Sequence, residues 1–127
     1  MFKILLIEDD FSLLFTLEKL LECLGYSAIA ADNGNDGLLL YEKNPSIDII
    51  LCDIDTPLLD GFQFLQRIQG GSRKVPPFAF ISAYVDIKVV QKTKAMGADC
   101  VIKKPIDQEI LKIILLALQM KRELEQT

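Results

Sequence analysis

The chain has 127 residues, half of them apolar, with a net charge of −4 at pH 7 and a pI near 4.8. That length suits one domain around one well-filled core, and the acidic balance, with no block of lysine and arginine, argues against a nucleic-acid-binding surface. The opening MFKILLIEDD has too short an apolar run for a signal peptide or membrane span, so a soluble, cytoplasmic protein whose partners are proteins or cations is expected.

The first apolar run, Phe2 to Ile7, predicts a strand, and it ends on Glu8-Asp9-Asp10. Acids favour helix starts, so Asp10 reads as a capping or solvated residue for the helix expected over Phe11 to Leu24. Gly25 stands where a left-handed residue closes a helix. A second strand is expected over Tyr26 to Ala31, then a helix over Gly34 to Lys43, with Asp32 in the same capping role. The third strand, Ile47 to Asp53, is apolar apart from Asp48 and reads as buried on both faces. It runs into LCDIDTPLLDG, where Asp60-Gly61 reads as a turn leading to a helix over Gly61 to Gln69. Gly70-Gly71 then plays the part of Gly25. A strand over Pro77 to Ser82, a helix over Val85 to Met96 led by Asp86, and Gly97 follow. The last pair is Cys100 to Lys103 and a helix from Asp107 to about Glu125.

Strictly alternating strands and helices with short links predict a parallel sheet covered by helices on both faces. All strands of such a sheet finish at one edge, so Glu8-Asp9-Asp10, Asp53, Ser82-Ala83 and Lys103-Lys104-Pro105 converge there from distant parts of the chain. Three gathered carboxylates repel one another, and protonation or a cation must relieve them. Magnesium suits the place, because it is a hard ion that prefers oxygen and keeps waters free for a phosphate. Cys23, Cys52 and Cys100 are odd in number and form no CxxC, so they read as small buried hydrophobes in a reducing compartment rather than a disulfide or zinc site.

In order and spacing, LLIEDD, LCDIDTPLLDG, FISAY and MGADCVIKKP resemble the receiver domain of two-component response regulators over essentially the whole chain. The resemblance implies a flavodoxin-like three-layer α/β/α sandwich with five helices and a five-stranded parallel sheet in the order 2-1-3-4-5. It implies that Asp53 accepts a phosphoryl group, that Glu8 and Asp9 hold Mg2+ with Asp53 and the main-chain carbonyl of Asp55, that Ser82 senses the phosphoryl group, and that Lys104 pairs with it. Lys104 rather than Lys103 precedes proline as the family's lysine does, and Pro105 matches a proline whose preceding bond is usually cis. The donor it implies is a phosphohistidine on a histidine kinase or histidine phosphotransfer protein, and the recipient of the signal a downstream effector protein or output domain. With no histidine of its own, the chain cannot be the histidine relay.

The chemistry of the residues agrees. A carboxylate can act as nucleophile toward phosphorus when charge in the transition state is neutralised. The negative charges of Glu8, Asp9 and Asp53 are matched by a divalent ion and Lys104, leaving a near-neutral site into which a phosphoryl group can enter.

Two positions depart from the family pattern. Receivers usually carry tyrosine or phenylalanine three residues before the lysine, where this chain has Val101. Valine has no ring to relocate, and Tyr84, two residues beyond Ser82, is the candidate for part of that switch role. Asp55 and Thr56 stand where the family commonly has methionine just before the proline; Asp55 and Tyr84 should tune the lifetime of the acyl phosphate.

The last helix carries IILLAL at residues 113–118, apolar all the way round. One face packs on the sheet; the others meet a partner, possible homodimer or effector, or a broad core with Leu116 left at the surface. Residues 1–120 are expected to form the receiver, and 121–127 a polar helical extension or the start of a linker. Two other classes remain. One is a degenerate receiver that only mediates contacts. The other is a magnesium-dependent phosphohydrolase, because Asp53-Ile54-Asp55 resembles the DxDx[TV] opening of haloacid-dehalogenase-like phosphatases; Pro57 stands where that signature wants threonine or valine.

Overall fold

A computed structural model describes residues 1–126. The elements alternate as β1 (Lys3–Ile7), α1 (Phe11–Cys23), β2 (Ser27–Ala31), α2 (Gly34–Lys43), β3 (Ile49–Asp53), α3 (Gly61–Gln69), β4 (Phe78–Ser82), α4 (Ile87–Ala95), β5 (Cys100–Lys103) and α5 (Gln108–Glu125). The strands form one parallel sheet in the order β2-β1-β3-β4-β5. This is the flavodoxin-like arrangement expected of the chain.

The core lies on both faces of the sheet, which explains the unbroken apolar runs. Leu5, Ile7, Ile50, Cys52, Phe78 and Phe80 face α2, α3 and α4, where Phe64 and Leu65 meet them. Ile4, Leu6, Ile49, Leu51, Ala79 and Ile81 face α1 and α5, against Leu17, Leu21, Leu111, Leu115 and Leu118. Every residue of β3 and β4 is buried, the terminal Asp53 and Ser82 included. Burial of side chains this size stabilises by roughly 1.5–3 kcal/mol each.

Element ends follow local chemistry. Asp10, Asp60, Asp86 and Asp107 each cap a helix by accepting main-chain N–H bonds of its first turn, and Asp60 closes a capping box with Gln63. Because Asp86 and Asp107 are caps, α4 begins at Ile87 instead of Val85, and α5 one residue after Asp107. Asp32 does not cap α2: Asn33 takes the extended cap conformation and accepts from Asp36, while Asp32 only receives an Asn33 side-chain bond. Gly25 and Gly97 have φ of 93° and 95°, as helix-closing glycines should. Gly70 has φ of −74°, so α3 ends without a left-handed residue. Ile47 and Asp48 precede β3 instead of belonging to it, since Asp48 is drawn off to bind Lys3 N and Arg122. Cys52 is buried and Cys100 half-buried, but Cys23 is exposed, on the outer side of α1.

Candidate functional site

Each site residue is delivered by the end of a strand. Glu8 follows β1 directly; its N–H donates to Ala31 O, which carries the ladder one residue further and keeps the side chain inside. Its Oε2 accepts from Asp10 N at 3.1 Å. Asp9 turns outward. Asp53 ends β3, is 3% exposed, and accepts from Asp55 N at 2.9 Å on Oδ1. Lys104 follows β5, where its N–H donates to Ser82 O and the peptide bond to Pro105 is cis. Alternation along the strand points Lys103 into solvent and Lys104 inward.

The Lys104 ammonium lies 2.5 Å from Asp53 Oδ2 and 2.6 Å from Glu8 Oε1. Carboxylate oxygens of Glu8, Asp9 and Asp53 all lie within 4.8 Å of one another. The pocket expected from the sequence is therefore assembled: acids of β1 and β3 beside the lysine of β5. Ser82 sits at the neighbouring strand end, buried, with its hydroxyl turned to the main chain of Tyr84.

Burial dominates the electrostatics. It raises the Glu8 carboxyl to about 7 against the opposing pull of Lys104 and of Asp10 N–H, with Asp53 adding to the rise. Desolvation pulls the Lys104 ammonium down, but the bonds to Asp53 and Glu8 outweigh it and leave it above the ordinary lysine range. Burial, then the charges of Asp53, Asp60 and Glu8, pushes the Cys52 thiol well up, so that side chain is inert packing under the site.

A single lysine thus stands against three carboxylates, and among the described residues it is the one cation in contact with the buried Glu8. An under-neutralised set of hard oxygen donors this close together fits a hard divalent cation such as Mg2+.

The loop after Asp53 is braced in ways sequence reading did not anticipate. Thr56 is buried and donates to Leu59 O at 2.7 Å, and Gly34 N–H donates to Pro57 O at 3.4 Å, tying the start of α2 to the loop. The sequence marked Thr56 only as a departure from the family pattern; its bracing role exists only once the loop folds back. Gly61 is required by close approach: a Cβ there would stand 2.5 Å from Asp53 O. Asp55 projects into solvent. Tyr84 is 69% exposed and donates its hydroxyl to Asp86. Val101 is half-buried beside its register partner Phe80, whose ring packs edge-on to Phe62 at 5.2 Å.

The family model for the response regulator receiver domain matches residues 4–116. The chain belongs to this family. The transcriptional regulatory protein AfsQ1 of Streptomyces coelicolor is 34% identical over 125 residues, 98% of this chain and 54% of its own length. A probable chemotaxis protein CheY of Rhizobium etli is 29% identical over 112 residues, 87% of this chain and 86% of its own. Among solved structures, chemotaxis protein CheY4 of Vibrio cholerae superposes with a TM-score of 0.86 at 27% identity, covering 93% of this chain and 98% of that one. The receiver domain spans only 29% and 51% of two further relatives, a cyclic di-GMP phosphodiesterase of Thermotoga maritima and the transcriptional regulatory protein CrdR of Helicobacter pylori.

Proposed function

We propose that this receiver domain accepts a phosphoryl group on Asp53 from a phosphohistidine of a histidine kinase or histidine phosphotransfer protein. The observation that carries the proposal is the meeting of buried Asp53 and Glu8 with the Lys104 ammonium, with the exposed Asp9 carboxylate closing the same cluster of oxygens. An Asp53 carboxylate oxygen attacks phosphorus, the N–P bond breaks, and its electron pair stays on the donor imidazole; water later attacks the acyl phosphate at phosphorus, the O–P bond to Asp53 breaks, and inorganic phosphate leaves with the carboxylate restored. Glu8, Asp9, Asp53 and the main-chain carbonyl of Asp55 would hold Mg2+, which supplies charge neutralisation to the incoming phosphoryl oxygens. Lys104 holds a second oxygen, and Ser82 leaves Tyr84 to donate to a third. Asp60, Gly61 and Pro105 shape the walls.

Val101 lacks the ring that receivers usually move at this position, and Tyr84, on the same loop as Ser82, takes part of that task, with Asp55 tuning the lifetime of the phosphoryl group. The output reaches an effector protein or output domain through α4 and α5. On α5, Leu111, Leu115 and Leu118 are buried while Ile110, Ile113, Leu116 and Met120 are exposed, a face suited to an effector or a homodimer. Residues 1–120 form the receiver and 121–127 extend it, Thr127 lying outside the described residues; Lys121 pairs with Asp99 and Arg122 with Asp48, which anchors the last turns of α5. The setting is cytoplasmic, with neither membrane nor nucleic acid as a direct partner; among the described residues no helix is long and apolar enough to cross a membrane.

Incubation with magnesium and acetyl phosphate, followed by intact mass, tests the reading. One added phosphoryl group that is absent in Asp53→Asn is the expected result. No adduct under any condition leaves a contact-only receiver, and donor turnover far beyond the protein concentration points to a phosphohydrolase.

A further inference from the structure

The sheet has two open edges, and the β2 edge carries no charge, proline or bulge within the strand. Among the described residues β2 pairs with β1 alone. Ser27 N donates to Phe2 O and Ala31 O accepts from Glu8 N, so residues 27, 29 and 31 turn their backbone groups toward β1. By alternation, the N–H and C=O of Ala28 and Ala30 point outward. Exposed edges are normally blunted by charge, proline or a bulge. SAIAA has none of these.

The edge lies in a groove of about 490 Å³ lined by Phe11 and Leu14 of α1 on one side and by Asp36, Leu39, Leu40 and Lys43 of α2 on the other. The α2 side is self-complementary. Asp36 and Lys43 are two turns apart with the leucines between them, so in two copies of α2 laid antiparallel Asp36 faces Lys43 of the partner subunit while Leu39 faces the partner's Leu40. Lys43 has no side-chain ion pair or hydrogen bond of its own among the described residues. An antiparallel match of β2 with a second β2, centred on Ile29, sets Ala28 opposite Ala30 of the partner subunit, and in each pairing both backbone hydrogen bonds close. Symmetry of strand and helix then points the same way.

We propose that the β2 edge is a homodimer interface, in which two copies of this chain join antiparallel through β2 to form one continuous sheet, with α2 against α2. Charge complementarity of Asp36 and Lys43 selects a second copy as the occupant over an unrelated extended peptide. The arrangement puts the two phosphoacceptor corners at opposite ends of the shared sheet and leaves the α4, β5 and α5 surface free. It does not depend on phosphorylation.

Sedimentation velocity of the whole chain over concentrations up to about 1 mM tests it. The expected result is a reversible dimer weakened at least about tenfold by Lys43→Asp and by Ala30→Pro, a proline at an outward-facing amide that an edge strand tolerates. Combining Asp36→Lys with Lys43→Asp restores the dimer, and Leu116→Glu leaves it unchanged. If Ala30→Pro fails to fold, the charge reversal and its restoration decide alone. A monomer at every concentration overturns the proposal, as does a dimer indifferent to Lys43→Asp or one abolished by Leu116→Glu.

Discussion

The Ser82 hydroxyl is held by the main chain of Tyr84: it donates to Tyr84 O at 2.8 Å and accepts from Tyr84 N at 3.1 Å. The group proposed to greet the phosphoryl oxygen is therefore occupied by its own loop, two residues away. Under the proposed function, drawing it to the site would release the loop that leads into α4. On the proposed function, binding at Asp53 and movement at Tyr84 would be two ends of one hydrogen-bond exchange.

Ser82→Ala removes that exchange. Asp53 should still gain a phosphoryl group by intact mass, because the nucleophile, lysine and acids are untouched. Amide NMR shifts over residues 84–92 should no longer respond to phosphorylation. A response equal to that of the parent chain would show that Ser82 is not the sensor.

Glu8 makes stability depend on pH, and with it the Mg2+ binding proposed above. Its carboxyl sits at about 7 in the folded chain against an ordinary 4.5, so its contribution to stability is complete below pH 4.5 and is lost as pH rises through 7. Metal-free protein should lose melting temperature across that window from this group, and Mg2+ should recover it by neutralising the ionised form. The Mg2+-induced rise in Tm is expected to be larger at pH 8 than at pH 5.5. An equal rise at both would mean that Glu8 does not compete for protons with the ion.

Gly61→Ala tests the close approach behind Asp53. The new Cβ would meet Asp53 O at 2.5 Å and Ile54 Cα at 2.8 Å, both backbone atoms that cannot swing aside. A loss of about 2 kcal/mol in urea unfolding is expected, the usual cost of overpacking. Phosphorylation of Asp53 should slow as well, since its main chain must shift. Unchanged midpoint and rate would refute the constraint.

Leu58 makes the opposite prediction. It has φ of 69° and is 77% exposed, so its side chain pays a left-handed backbone penalty for little burial. Asparagine tolerates that conformation. Leu58→Asn should raise unfolding free energy by about 0.5–1 kcal/mol, read from the urea midpoint, and an unchanged or lower midpoint would show that the left-handed backbone at this position costs nothing.

Much of the site was legible because strand direction is a global consequence of a local pattern. Alternation of strand and helix forces all strands parallel, and parallel strands put Glu8, Asp53, Ser82 and Lys104 at one edge whatever their separation in sequence. The caps at Asp10, Asp86 and Asp107 were equally legible, since each acts within three residues of itself, whereas Asp60, read as a turn residue, proved to be a cap as well. Where two capping types stood side by side, at Asp32 and Asn33, type alone could not choose; the extended backbone of Asn33 did.

By itself the sequence determined the order of elements, the sheet's direction and the acids and lysine that meet at its edge, because those follow from periodicity and chain connectivity. Tertiary structure alone decided the near-neutral titration of Glu8, the capture of Ser82 by Tyr84, the bracing of the loop by Thr56 and the contact of Val101 with Phe80. Each of these depends on desolvation or on the relative placement of side chains in the folded core. Such quantities exist only when water has been excluded and distant segments are brought within a few ångströms.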